Sequence, residues 1–128
     1  MPQYMLLIYG PAEGGPSPEQ LAAEMPKWFE YTESLKRAGL HVAGDPLHGA
    51  DAATTVRVRD GETQITDGPF AETKEILGGY YILDAPDLDT ALAHAGRVPS
   101  VSYGSIEVRP VLDMSAMPAP SEHAQAQA

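Results

Sequence analysis

At 128 residues the chain has room for one packed core and not for two, and its apolar share is that of an ordinary globular domain. Its 18 acidic and 8 basic side chains give a formal net charge of −10, which repels a phosphate backbone and argues against direct nucleic-acid binding. With no cysteine, disulfides, thiolate nucleophiles and Cys-type zinc sites are out.

Gln3 to Tyr9 reads as a buried strand, with Tyr4, Leu6 and Ile8 on one face and Met5, Leu7 and Tyr9 on the other. Helices of the same small domain cover one apolar face, so the second predicts a partner sheet and hence a homodimer. The run Met5-Leu6-Leu7-Ile8 is short for a signal-peptide core and has no basic start. No segment approaches the ~20 apolar residues of a membrane span, so a soluble cytoplasmic protein without membrane contact is expected. Gly10 to Pro16 has the composition of a loop, either a connector or a lid.

Ser17-Pro18-Glu19-Gln20 is a helix start, with Ser17 as N-cap and Gln20 placed for a capping box. The stripe Leu21, Met25, Trp28, Thr32, Leu35 follows helical spacing and is expected to face the sheet. Pro26 predicts a kink or fresh start near Met25, and Gly39 closes the helix. Trp28 has two readings, a core side chain or a stacking platform for a ligand. Leu40 to Gly44 is a second strand, ended by Asp45-Pro46. His48 follows in a turn-rich loop, where it is either an exposed loop histidine or a group that moves protons near neutrality. No two histidines show metal-ligand spacing, and neither a metal site nor a cofactor is expected.

Arg59-Asp60-Gly61-Glu62 is a two-residue hairpin signal of type I′. It sets Arg59 opposite Glu62, Arg57 opposite Gln64, Thr55 opposite Thr66, Val58 opposite Thr63, Val56 opposite Ile65 and Thr54 opposite Asp67. Asp67 therefore shares a face with Val56, Val58 and Ile65 and is expected to lean inward. Two readings of that carboxylate stand side by side. In one it caps the Gly68-Pro69 turn or the turn at Glu72-Thr73-Lys74. In the other it lines a cavity with Glu72 and Lys74 and handles protons or holds a polar ligand.

Ile76-Leu77-Gly78-Gly79 opens the next strand, through Tyr80, Tyr81, Ile82 and Leu83, and the glycine pair suits a bulge or a close backbone approach. After the turn Asp84 to Asp87, the stripe Leu88, Ala91, Leu92, Ala95 marks a second helix. Ser105 to Val111 alternates as the last strand, with Pro110 near a sheet edge, and residues 113–128 form a flexible tail of Ala, Pro, Ser and Gln beyond a domain at 1–112.

The string Asp67-Gly68-Pro69-Phe70-Ala71-Glu72-Thr73-Lys74-Glu75, with Gly78-Gly79-Tyr80-Tyr81-Ile82-Leu83 and Gly104-Ser105-Ile106-Glu107-Val108-Arg109-Pro110-Val111 after it, resembles the DGPF-motif branch of the YCII-related proteins. The resemblance implies a dimeric α+β barrel on a ferredoxin-like core. The element order β-α-β-(ββ)-β-α-β gives the same fold class from the residues: an α+β antiparallel sheet with two helices on one face and an inserted β-hairpin.

Two functions follow. One is a small-ligand-binding or regulatory dimer without catalysis, and the resemblance to DGPF proteins implies a link to an extracytoplasmic-function sigma factor. The other is a cofactorless lyase or isomerase, dehydrochlorinase-like by resemblance, in which Asp67 or His48 moves a proton, Lys74 steadies an anion, and Glu72, Trp28 and Tyr80 help shape the ligand site. The acid-base pair of YCII-type proteins, a histidine on the first helix and an aspartate before a proline after the second, is not matched. Those places hold Lys27 or Trp28, and Val98 before Pro99.

Overall fold

The computed structural model describes residues 1–69 and 73–118. Six strands and two helices follow one another as β1 (Gln3–Pro11), α1 (Pro18–Arg37), β2 (His41–Pro46), β3 (Thr54–Arg59), β4 (Glu62–Asp67), β5 (Glu75–Asp84), α2 (Leu88–Ala95) and β6 (Ser105–Pro110). Four strands make an antiparallel sheet in the order β2-β5-β1-β6, and β3 pairs with β4 alone. With the hairpin set aside, the first and third strands lie at the centre of the sheet, which is the ferredoxin-like α+β arrangement.

Local chemistry places the helix ends where expected. Ser17 Oγ accepts from Gln20 N at 3.2 Å while Gln20 Oε1 accepts from Ser17 N at 2.8 Å, a reciprocal capping box. At the other end of α1, Gly39 at φ 73° lets its own N–H reach Lys36 O and the Leu40 N–H reach Leu35 O. That is a Schellman closure, and it needs a residue that tolerates positive φ. Of the kink or fresh start expected at Pro26, the fresh start is absent: α1 runs from Pro18 to Arg37 through it.

The inward stripe of α1 also differs from the expected one. Glu24, Tyr31 and Leu35 are buried and Trp28 is half-buried, whereas Leu21 and Met25 stay about half exposed. In α2 only Ala91 and Ala95 are buried, and Leu88 and Leu92 face outward. Small alanines let this short helix sit close against Tyr4 and Val108, which leaves its leucines no room on the inner side. The core lies between helices and sheet, with Leu6, Leu35, Leu83 and Val98 wholly enclosed. Tyr31 meets Tyr81 edge-on at 5.4 Å between ring centroids, and its hydroxyl donates to His94 O at 2.8 Å, tying α1 to the end of α2.

The glycine pair does both things expected of it. Ile8 pairs with Gly79 and Tyr9 with Leu77, so Gly78 is the extra residue of a bulge. A Cβ on Gly79 would lie 3.0 Å from Asp45 O, so β2 approaches there as only glycine permits.

The β3–β4 ribbon has the expected register at all six pairs, closed by Asp60 at φ 53° and Gly61 at φ 78°. Its setting differs from expectation. Val56, Val58 and Ile65 are 62%, 58% and 69% exposed, and Asp67 is exposed with them. The face that Asp67 shares is the apolar one, but among the described residues no interior lies across it. The inward lean expected of Asp67 is therefore corrected.

Candidate functional site

The face of the sheet away from the helices carries Met5, Leu7 and Ile82 at its centre, all half-buried. Polar groups ring it. Tyr80 donates to Asp45 Oδ2 at 2.7 Å, and Tyr9 donates to Glu107 Oε1 at 3.3 Å. The bond to Asp45 and its charge push the Tyr80 phenol up. For Tyr9 partial burial acts first and the Glu107 carboxylate second, in the same direction.

At the Tyr9 end of this face a groove of about 910 Å³ opens, walled by the end of β1, the start of β5 and the segment between β2 and β3. Its lining is mainly apolar, with Tyr9, Leu47, Ala50, Ala52, Ala53, Pro69, Ile76 and Leu77, and it includes His48, Glu13, Thr73 and Glu75. Backbone bonds hold its walls. Leu47 N donates to Gly78 O at 2.9 Å, and Ala12 N donates to Lys74 O at 2.9 Å. Where the ribbon leaves the groove, Gly68 N donates to Ala53 O at 2.7 Å and Thr55 Oγ1 to Gly68 O at 2.8 Å. Glu75 Oε1 accepts from Ser105 Oγ at 2.7 Å, which fixes that carboxylate across the mouth between β5 and β6. An apolar concave wall with a few directed polar groups is the ordinary form of a small-molecule site.

Of the residues singled out in the sequence, His48 lines this groove. Asp67 does not line it, and among the described residues its carboxylate makes no hydrogen bond, so neither the cap nor the cavity reading of Asp67 has a contact behind it. Lys74 contributes its carbonyl to the wall while its side chain stays outside the lining. Tyr80 stands on the bare face farther along β5, and Trp28 lies on the opposite, helix side against the core. Glu72 lies outside the described residues.

Three residues of the motif, Pro69, Thr73 and Glu75, border the groove. Sequence reasoning missed Tyr9, Glu13 and Glu75 as its polar groups. Strand alternation carried a signal for two of them, since Tyr9 and Glu75 fall on the same face once the Gly78 bulge is counted.

A second polar cluster sits on the helix side. Glu24, 9% exposed, accepts from Trp28 Nε1 at 3.0 Å and from Tyr103 OH at 2.6 Å. Burial and then the bond to Glu24 push the Tyr103 phenol well above its ordinary range. The cluster ties the 99–104 turn to α1. Of the places of the unmatched acid-base pair, Val98 belongs to the apolar core and Trp28 packs against it, while Lys27 is exposed.

No helix among the described residues is long and apolar enough to cross a membrane, and no group of three or more potential ligands among them could hold a metal ion.

Over 62 residues the chain is 52% identical to an uncharacterised protein of Rhizobium meliloti (strain 1021), and the match spans 47% of this chain and half of that one. A similar solved structure is 5-chloro-2-hydroxyhydroquinone dehydrochlorinase from Burkholderia phenoliruptrix AC1100, in complex with 2,5-dihydroxybenzoquinone. It has a TM-score of 0.47 and 16% identity over 84% of this chain and 90% of that one. The family model for the YCII-related domain matches residues 2–115. That match takes in every strand and helix described above, and the chain belongs to the YCII-related family.

Proposed function

We propose that the chain acts in the cytoplasm as a homodimer that binds a small, largely apolar molecule in the groove beside His48. The observation that carries this reading is the groove itself, an apolar concavity with a few directed polar groups at the rim of a sheet face that no helix among the described residues covers. Pairing of two such faces through Met5, Leu7 and Ile82 removes apolar surface from water at roughly 25 cal/mol per Å² and closes a barrel-like space next to both grooves. The DGPF resemblance adds a regulatory role beside an extracytoplasmic-function sigma factor, which suits a chain too acidic to hold nucleic acid itself. That link is carried by the resemblance alone.

A thermal-shift screen against small aromatic and polar metabolites tests the binding reading, because a ligand of the folded state raises stability by mass action. A concentration-dependent rise that shrinks in His48→Ala and persists in Asp67→Asn is expected. No shift with any compound in any variant contradicts it.

One observation favours a second reading, a cofactorless lyase or isomerase: the groove holds an imidazole, the side chain suited to moving protons near neutral pH. In that case His48→Gln keeps ligand binding and abolishes turnover, whereas in the binding module no turnover exists to lose.

A further inference from the structure

Beside the imidazole of His48 and the hydroxyls of Tyr9 and Thr73, the groove carries carboxylates. Glu13 and Glu75 line it, and no Lys or Arg does. All eight Lys and Arg side chains of the chain fall among the described residues. Glu75 is also directed. Ser105 Oγ holds its Oε1, while Oε2 hydrogen-bonds no described residue and remains to accept from a ligand. Tyr9, Leu47, Ile76 and Leu77 supply apolar wall for a ring-sized body.

From this we infer that the groove is selective for an apolar or aromatic amine: the body lies on the apolar wall, the ammonium group meets the carboxylates, and anionic analogues are turned away. The inference rests on the groove being the binding site, as proposed above. It runs against the role in which Lys74 steadies an anion, because that ammonium lies outside the lining. An ammonium beside a carboxylate such as Glu75 gains a charge-assisted hydrogen bond, whereas a carboxylate ligand meets like charge in a chain of net charge −10.

The test uses three probes that share an indole body and differ in the head: tryptamine, neutral tryptophol and anionic indole-3-acetate, titrated calorimetrically into the full chain at low salt. Tryptamine is expected to bind about threefold to fivefold more tightly than tryptophol, with indole-3-acetate weakest, and the spread is expected to narrow at about 0.5 M salt. Glu75→Gln, or Glu13→Gln in the loop after β1, is expected to erase the advantage of tryptamine and leave tryptophol unchanged. Glu62→Gln at the ribbon tip is expected to leave all three unchanged. Equal or tighter binding of indole-3-acetate, or a loss in Glu62→Gln as large as in Glu75→Gln, overturns the amine selectivity and leaves the groove as a binding site. Absence of binding by all three overturns both.

Discussion

The helix-covered face of the sheet and the β3–β4 ribbon carry the same alternating pattern and end in opposite surroundings. Leu6 and Leu83 are wholly buried, while Val58 on the ribbon remains 58% exposed. In both regions the register is set by short-range chemistry, a bulge at Gly78 and a tight turn at Asp60-Gly61. Burial is set at long range, by what lies across. Alternation therefore tells which side chains share a face and leaves open what covers that face. An isolated two-stranded ribbon is marginal in water, and this one is closed at its base by the bonds of Gly68 N to Ala53 O and of Thr55 Oγ1 to Gly68 O.

The sharpest way to break that contrast is to truncate both regions. Leu83→Ala is expected to cost about 2–5 kcal/mol in chemical denaturation, and Val58→Ala less than about 0.5 kcal/mol. Similar losses at the two sites would show that the ribbon shares the core. Next in size is the pin on the helix side. Tyr103→Phe removes a donor from the buried Glu24 carboxylate and is expected to cost about 1–3 kcal/mol, again by denaturation.

Gly61→Ala forces a Cβ onto a residue at φ 78° and is expected to weaken the ribbon by about 1 kcal/mol. Amide exchange should quicken along β3 and β4 while global unfolding stays nearly unchanged. A matching fall in global stability would contradict the picture of a ribbon that packs on little else.

The smallest expected effect is a pH slope at the joint between the helices. Burial first, and then the Arg97 guanidinium whose Nη1 lies 2.8 Å from His94 Nδ1, lower the pKa of His94 below its ordinary 6.5. The folded chain thus keeps His94 neutral where the unfolded chain already takes a proton. Its contribution to stability is present above about pH 6.5 and is lost as pH falls through the lowered folded value. Wild-type stability should fall more steeply than that of His94→Gln between pH 7 and 5, roughly the window in which His titrates. Parallel curves would rule the mechanism out.

Much of the fold was legible in the residues because its signals are local. The capping box at Ser17, the closure at Gly39, the bulge at Gly78 and the hairpin register at Asp60-Gly61 each depend on a few neighbours in sequence. Trp28 and Leu35 face the core as the stripe of α1 predicts, but its first half was not legible, because a hydrophobic reading prefers Leu21 and Met25 to Glu24. Only the donors Trp28 and Tyr103, the latter 79 residues away in sequence, make a buried carboxylate tolerable. Of the residues lining the groove, His48 was singled out from its loop and Pro69, Thr73 and Glu75 belong to the motif, while the inward lean of Asp67 failed for the same reason as that of the ribbon valines: its face was read correctly and its cover was assumed.

The most direct measurement is the mass of the chain in solution by sedimentation equilibrium across the micromolar range. Cover of the bare sheet face by a second copy predicts twice the 13.7 kDa of one chain, shifting toward 13.7 kDa when Leu7→Glu puts a charge at the centre of that face. A mass of 13.7 kDa for the unaltered chain at every concentration would contradict it.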